Sequence, residues 1–263
     1  MVADIDIQQA AERLLRARRD RSPVPPLQGP GRPVSLESAY AIQLAQIDAW
    51  KAEGRRIAGY KIGLTSAAIQ RQLNVDQPDF GHLFADDFVL SGEAIRPSRF
   101  IQPRVEPEIS FVLKKPLAGP GVTVAEAIGA IDYAIASLEI IDSRIEDWRI
   151  ALPDTIADNA SAGGVVLGTA PLALDGCDLR LAGCILRKNG RIVHTGAGGA
   201  VLGSPISSLV WLANALGGLG TVLETGSLVM AGAMTAAVPA APGDVVTAEI
   251  AGLGSVTAKF AGA

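Results

Sequence analysis

Hydrophobic and polar positions change their period once along this chain, and that change sets the first expectations. Residues 4–19 carry Ile7, Ala10, Ala11, Leu14 and Leu15 at helical spacing with Arg and Glu between them, which predicts a surface helix. A Pro/Gly-rich connection follows over 22–33. Ser35 can cap a second helix, with Leu36, Tyr40, Leu44 and Ile47 on one face and Gly54 as its stop. Residues 1–55 are therefore expected to form a helical subdomain.

From residue 56 to 263 the pattern is that of strands. Ala58, Tyr60, Ile62 and Leu64 alternate with Gly59, Lys61, Gly63 and Thr65, which a strand places on opposite faces. Ser66 opens a short helix through Gln72, and 77–81 reads as a loop. Further strands are expected at 104–113, 135–141, 164–168, 180–187, 191–194, 227–232, 245–250 and 255–260, with Lys188-Asn189-Gly190 as a turn between two of them. Helices are expected at 123–130 and 205–216, the second with Ser204 as cap and Pro205 in its first turn. Strand and helix do not alternate regularly. The expected class is α+β, with a curved mixed or antiparallel sheet rather than a doubly wound one.

Composition narrows the function. With 49% hydrophobic residues among 263, the chain can bury a large core. A net charge of −4 and the lack of a basic run argue against nucleic acid as a partner. The apolar segment 228–241 is too short, and too broken by Pro and Gly, to cross a bilayer. Asp4, Asp6, Glu12 and a basic cluster interrupt the first 21 residues, so no signal-peptide core is expected. The expectation is a soluble cytoplasmic protein with no membrane partner. Cys177 and Cys184 form neither a disulfide framework nor a zinc ribbon and read as two small buried or half-buried residues.

The candidate chemistry lies in carboxylates. Within 104–113, one alternation carries Glu106, Glu108 and Ser110, and the other carries Val105, Ile109, Phe111 and Leu113. Both glutamates then share one face about 7 Å apart, where like charges repel unless a cation lies between them. Alone, the pair also fits the wet face of an edge strand, and Pro107 favours an edge or a bulge. Glu139 shifts the balance, because apolar residues flank it on both sides and a buried charge needs a partner. Oxygen-only ligation suits Mg²⁺ or Mn²⁺ better than Zn²⁺. The competing reading is a salt bridge from Glu139 to Arg104 or Arg144.

Lys61 shares its strand face with glycines, which leaves room for a ligand close to the backbone, and its charge would balance the carboxylates. Taken alone, it reads as an exposed structural lysine. Asp79 reads as a turn former, and Asp158-Asn159-Ala160-Ser161 as a polar turn before a buried strand. His82 and His194 have no ligand spacing. The run 196–199 imitates a phosphate loop but lacks its full spacing and a following lysine.

Taken together, GYKIGLTS at 59–66, VDQPDFG at 75–81, QPRVEPE at 102–108, LEIIDSRI at 138–145, DTIADNAS at 154–161 and GAGGAVLGSP at 196–205 resemble the 2-oxopent-4-enoate (2-hydroxypentadienoate) hydratases of the fumarylacetoacetate-hydrolase-like superfamily. The likeness runs in order from about residue 36 to the C-terminus. It implies a mixed β-roll catalytic core over 56–263 preceded by the helical region, a homo-oligomer, and Mg²⁺ or Mn²⁺ on Glu106, Glu108 and Glu139. The family's catalytic lysine and aspartate fall on Lys61 and Asp79, and Asn159 and Ser161 would line the substrate pocket. The implied reaction adds water to 2-hydroxypenta-2,4-dienoate, giving 4-hydroxy-2-oxopentanoate, in meta-cleavage catabolism of aromatic rings. Rival implications are a 4-oxalocrotonate decarboxylase, a 2-oxohept-4-ene-1,7-dioate hydratase, or an inactive partner subunit of a hydratase–decarboxylase complex. Association with a pathway decarboxylase or aldolase is also implied. The Asp147-Trp148 and Asp154-Thr155 pairs and the 77–81 stretch favour the hydratase, and Glu106, Glu108, Glu139 and Lys61 together speak against a dead subunit.

Overall fold

A computed structural model describes residues 5–29, 33–73 and 75–262. The first residue of the expected N-terminal helix, Asp4, and positions 30–32 of the Pro/Gly connection lie outside the described residues. Helix α1 (Ile7–Asp20) starts where Asp6 accepts from the Gln9 amide, and it buries Ala10, Ala11, Leu14 and Ala17. Helix α2 (Leu36–Ala52) is capped by Ser35, whose side chain accepts from the Ser38 amide. Its inward face overlaps the expected one, with Ile47 buried and Leu36 and Tyr40 packed against the core, but it is wider than expected. Ala39, Ile42, Gln43, Gln46, Ile47 and Trp50 are buried, whereas Leu44 is 42% exposed. Two glutamines turn inward because they satisfy buried backbone carbonyls, a task that hydrophobic spacing does not register. Four helices follow: α3 (Ala67–Leu73), α4 (Val124–Ala130), α5 (Leu152–Ala157) and α6 (Pro205–Gly218).

The strands, in chain order, are β1 (Ile57–Gly63), β2 (Asp79–Phe84), β3 (Phe88–Leu90), β4 (Ala94–Ile95), β5 (Arg104–Leu113), β6 (Ile131–Ile141), β7 (Ala162–Leu167), β8 (Gly183–Lys188), β9 (Arg191–Ala197), β10 (Leu228–Ala233), β11 (Val238–Pro239), β12 (Val245–Ile250) and β13 (Gly254–Phe260). The larger sheet runs β2-β1-β10-β5-β6-β7-β3, with β11 added to β5. The smaller runs β4-β13-β12-β8-β9. The pairs β1–β10, β3–β7 and β4–β13 are parallel and the rest antiparallel, so both sheets are mixed. Strands β12 and β13 pack across β6, and Leu138, Ile140, Val246, Ala248, Val256 and Ala258 fill the common core. Unpaired β2 and β7 also touch each other, which requires the larger sheet to curl. This is the α+β roll expected from the sequence.

Two differences from the sequence reading bear on function. The 77–81 stretch, expected as a loop, carries the start of β2, and Asp79 pairs with Gly63 of β1 rather than forming a turn. The hydrogen bonds gained in the ladder outweigh the turn preference of Pro-Asp. Helix α5 was not foreseen. It spans only six residues, too short to show a period. Elsewhere β5 keeps its expected bounds of 104–113, and Asn189 and Gly190, with φ of 52° and 78°, make the expected hairpin turn between β8 and β9. The run Gly198–Gly218 has the length and hydropathy of a membrane span, but it contains α6, which buries Leu209, Leu212, Ala213 and Leu216 in the core. The glycines of 196–199 serve close packing, Gly196 on the Met234 carbonyl and Gly198 on that of Leu179. Cys184 is buried and Cys177 half-buried, and both are free thiols.

Candidate metal centre

Glu106 and Glu139 face each other directly across the antiparallel β5–β6 ladder, and Glu108 stands opposite Ser137 one step further along. Side chains in such opposed positions are close neighbours, and like charges there are destabilising. Glu106, Glu108 and Glu139 can each bring one carboxylate oxygen within 4.8 Å of the others. Glu108 and Glu139 are almost wholly buried, at 1% and 0% exposure, and Glu106 is half-buried. Burial, reinforced by Glu139 and opposed by Lys61, pushes the Glu106 carboxyl up to about 7. Burial also raises Glu108, with Glu139 and Glu106 adding to it. Glu139 is raised by burial against the pull of Lys61. Glu108 Oε1 and Glu139 Oε1 have no partner, and Glu139 Oε2 has only the Lys61 ammonium, 3.4 Å away. Orphaned buried acceptors that converge on one point fit a hard divalent cation.

The strand geometry behind this starts at Pro107. Its carbonyl accepts from the Met234 amide on the β10 side, where its own nitrogen has no proton to return. The β10–β5 register shifts between Met230 and Ala233, so the bulge lies in the partner strand and β5 stays a central strand, not an edge. Gly232 occupies that bulge at φ 120° and turns its amide to Glu108 Oε2 at 2.8 Å. A Cβ at this glycine would meet Thr65 Oγ1 at 2.3 Å. Glu108 therefore keeps one oxygen anchored and the other free.

Lys61 is buried rather than exposed, at 3%, because the curled sheet closes over its face of β1. Its Nζ donates to the Ala160 carbonyl at 2.8 Å and lies 3.4 Å from Glu139 Oε2. Burial would depress this ammonium, but Glu139, Asp79, Glu106 and Glu108 more than reverse the effect and raise its pKa. Glu139 is thus paired with Lys61, and neither expected arginine reaches it. Arg144 is fully buried against Asp158, and Arg104 stacks on Trp148 at 4.4 Å. Arg104 also lines a cavity of about 560 Å³ with Phe100, Gln102, Trp148 and Pro239.

Asp79 is 1% exposed. Its Oδ2 accepts from Thr155 Oγ1 at 3.0 Å, while Oδ1 has no partner. Burial raises its pKa, and Lys61 and Thr155 oppose the rise. A Cβ at Gly63 would sit 2.2 Å from Asp79 Oδ1 and 3.2 Å from Lys61 Nζ, so this glycine is what lets the two groups converge.

Asn159 and Ser161 flank the Ala160 carbonyl that receives Lys61. Asn159, Ala160 and Ser161 have φ of 51°, 48° and 56°, three successive non-glycine residues in the left-handed region. Each such residue carries strain of order 1 kcal/mol or more. The turn is held by its side chains. Asn159 Oδ1 accepts from the His82 amide and Nδ2 donates to the His82 carbonyl, both within 2.9 Å. Ser161 Oγ donates to Asp158 at 3.4 Å. The Asn159 amide is thereby engaged with β2, and the turn meets the site through its backbone. Sequence reasoning gave no role to Gly232 or Gln43 and saw Thr155 only as half of a motif. Their importance comes from tertiary partners, and no local signal marks it.

A family model described as fumarylacetoacetate (FAA) hydrolase C-terminal matches residues 58–261. The TodF product hydratase of Pseudomonas putida is 46% identical over 255 residues, 97% of this chain and 95% of that protein. A 2-keto-4-pentenoate hydratase of Paraburkholderia xenovorans is 44% identical, covering 96% of this chain and 94% of its own. Among solved structures, a 4-oxalocrotonate decarboxylase from Pseudomonas putida, complexed with magnesium and adipate, superposes with a TM-score of 0.93 at 39% identity, covering 97% of each chain. The same decarboxylase has also been solved with calcium and acetate.

Proposed function

The chain belongs to the fumarylacetoacetate hydrolase family, and on that premise we infer that it is a 2-keto-4-pentenoate hydratase, a hydro-lyase acting on a small 2-hydroxydienoate. It adds water to 2-hydroxypenta-2,4-dienoate and yields 4-hydroxy-2-oxopentanoate. The observation that carries this reading is the opposed Glu106–Glu139 pair with Glu108 beside it, retained in a chain that matches hydratases over nearly its whole length.

A divalent cation is supported by the unpartnered oxygens, and Mg²⁺ or Mn²⁺ is our choice because the donors are all carboxylates. When bound, such an ion supplies Lewis-acid stabilisation of negative charge on the substrate's 2-oxygen. The chain's own groups handle protons and orientation. Lys61 Nζ, fixed between the Ala160 carbonyl and Glu139, remains a cation that offsets the carboxylates and the acidic substrate. Asp79 Oδ1 is the oxygen left free, so Asp79 is assigned the proton transfers. The dienol ketonises by giving up its 2-hydroxyl proton as C5 gains one, and water then adds at C4 of the conjugated enone, its proton passing to Asp79 and from there to C3. Asn159 and Ser161 shape the pocket wall by holding the strained turn in place. A homo-oligomer in the cytoplasm is the setting proposed for it.

One observation favours a second reading, decarboxylation of 4-oxalocrotonate. Arg104 lies on the same strand alternation as Glu106, lines a cavity with Trp148 and stacks on that ring, and has no carboxylate in salt-bridge range among the described residues, so it offers a cation to a second substrate carboxylate. The test is to give the metal-loaded protein each substrate and follow its ultraviolet absorbance. Rapid loss of hydroxypentadienoate with formation of 4-hydroxy-2-oxopentanoate is expected. Release of CO₂ from 4-oxalocrotonate, without hydration of the dienoate, overturns the assignment.

A further inference from the structure

We infer that Thr155 and Gln43 are positioning residues that aim the Asp79 carboxylate, so that Oδ1 alone is presented to substrate. The inference rests on the reading of Asp79 as the proton-transfer group.

Asp79 and Thr155 lie 76 positions apart, on β2 and α5, and no strand ladder joins these two elements. Their hydrogen bond therefore depends on how closely α5 is held to β2. Gln43 of α2 sets that spacing. Its Nε2 donates to the Phe80 carbonyl at 2.9 Å and to the Ile156 carbonyl at 2.8 Å. Phe80 follows Asp79 directly, and Ile156 follows Thr155. One amide nitrogen thus clasps the two backbones one residue beyond the pair it aligns. Gln43 is fully buried, so water does not compete for these bonds. One turn along the same helix, Gln46 Nε2 donates to the Ala157 carbonyl at 2.7 Å and extends the clasp to the end of α5. Tyr40, also on α2, stacks on Phe80 with ring centroids 4.8 Å apart and fixes β2 laterally.

Thr155 suits its place. A β-branched side chain has few χ1 choices, so its hydroxyl has a fixed direction once the helix is fixed. A carboxylate rotates freely about its last bond unless something holds one oxygen. Thr155 holds Oδ2, and the missing Cβ of Gly63 leaves the space that Oδ1 faces. Small displacements of a reacting group cost rate steeply, which makes this alignment a determinant of turnover.

The experiment uses the full-length, Mg²⁺-loaded protein with 2-hydroxypenta-2,4-dienoate. Thr155→Val removes the hydroxyl while keeping the shape. It is expected to lower kcat at least about tenfold while KM stays within about twofold, with Mn²⁺ affinity and Tm near wild type. Thr155→Ser restores the hydroxyl and should recover most of kcat, which a purely structural role for Thr155 would not require. Gln43→Met keeps the length but not the donor, and should lose kcat in the same pattern. Thr155→Ala serves the same comparison if valine crowds α5. Wild-type kcat in Thr155→Val, or equal loss in the Val and Ser variants, overturns the inference. Asp79→Asn separates the two levels of the proposal: if it stays fully active, the role given to Asp79 is itself wrong. If it is inactive while Thr155→Val is not, only the positioning role fails.

Discussion

Glu106 meets Glu139 across a strand pair in a setting that leaves Lys61 as the one ammonium within salt-bridge range of the cluster among the described residues. Such a cluster is unfavourable until a cation enters it, so metal binding and stability are linked. At a metal concentration about 100 times its Kd, the folded state gains about 2.7 kcal/mol, or roughly 5–10 °C in Tm for a chain of this size. A chelator should reverse that shift in a thermal melt. Glu106→Gln should abolish the metal-dependent part while leaving the chelated protein at least as stable as wild type, since it removes one of two opposed charges. At Gly63 a single methyl group should act on the chemistry directly. Gly63→Ala places a Cβ 2.2 Å from Asp79 Oδ1, so the carboxylate must move. We expect a stability cost of about 1–3 kcal/mol by denaturant titration and a larger proportional loss in kcat.

Helix α5 illustrates how a short element is held by side chains from elsewhere. Asp154 Oδ1 accepts from the Leu27 and Gln28 amides, and Oδ2 accepts from the Ala151 amide, so one buried carboxylate ties the start of α5 to the connection between α1 and α2. Asp154→Ala leaves those amides unpaired. It should cost about 3 kcal/mol or more, read as a fall in the denaturant midpoint at unchanged slope. The same element shows where hydrophobic spacing stops informing. The pattern gave the bounds of α2 to within two residues and three of the four residues of its inward face, but it missed Gln43 and Gln46, which turn inward to donate to carbonyls of β2 and α5. Strand β5 was legible to the residue, since ten positions of clean alternation leave little choice of register.

At the scale of the whole molecule, the curl of the larger sheet buries groups that a flat sheet would leave wet. His82 on β2 is one. Burial lowers its imidazole from 6.5 to about 4, with a small opposing contribution from Asn159. The folded protein therefore holds this proton more weakly than the unfolded chain does. Between pH 6.5 and 4 the unfolded chain gains a proton that the fold refuses, so stability falls as pH drops through that window and levels off below it. The shift corresponds to up to about 3 kcal/mol. The buried carboxylates whose pKa values are raised act in the opposite direction, so the His82 share is read as a difference: denaturant titrations at pH 7 and pH 4.5 should show His82→Phe losing less stability, or gaining more, than the wild type by about that amount.

The sequence by itself determined the α+β class, most strands, the capped helices and the side-by-side placement of Glu106 and Glu108, because each follows from spacing along a continuous stretch. The apolar flanks of Glu139 and the glycine-flanked face of Lys61 mark these two as candidates, and resemblance across ordered motifs implied their roles and added Asp79. Tertiary structure decided what each group touches. It set Glu139 opposite Glu106, gave Lys61 to Glu139 rather than an arginine, moved Asp79 from a turn to a buried strand end, and put Thr155 against it. These contacts join residues distant in the chain, Asp79 and Thr155 by 76 positions, and they depend on strand pairing and on the packing of α5 against the sheet. Local patterning encodes which face a side chain takes, whereas the partner it meets across the roll depends on the packing of the whole chain.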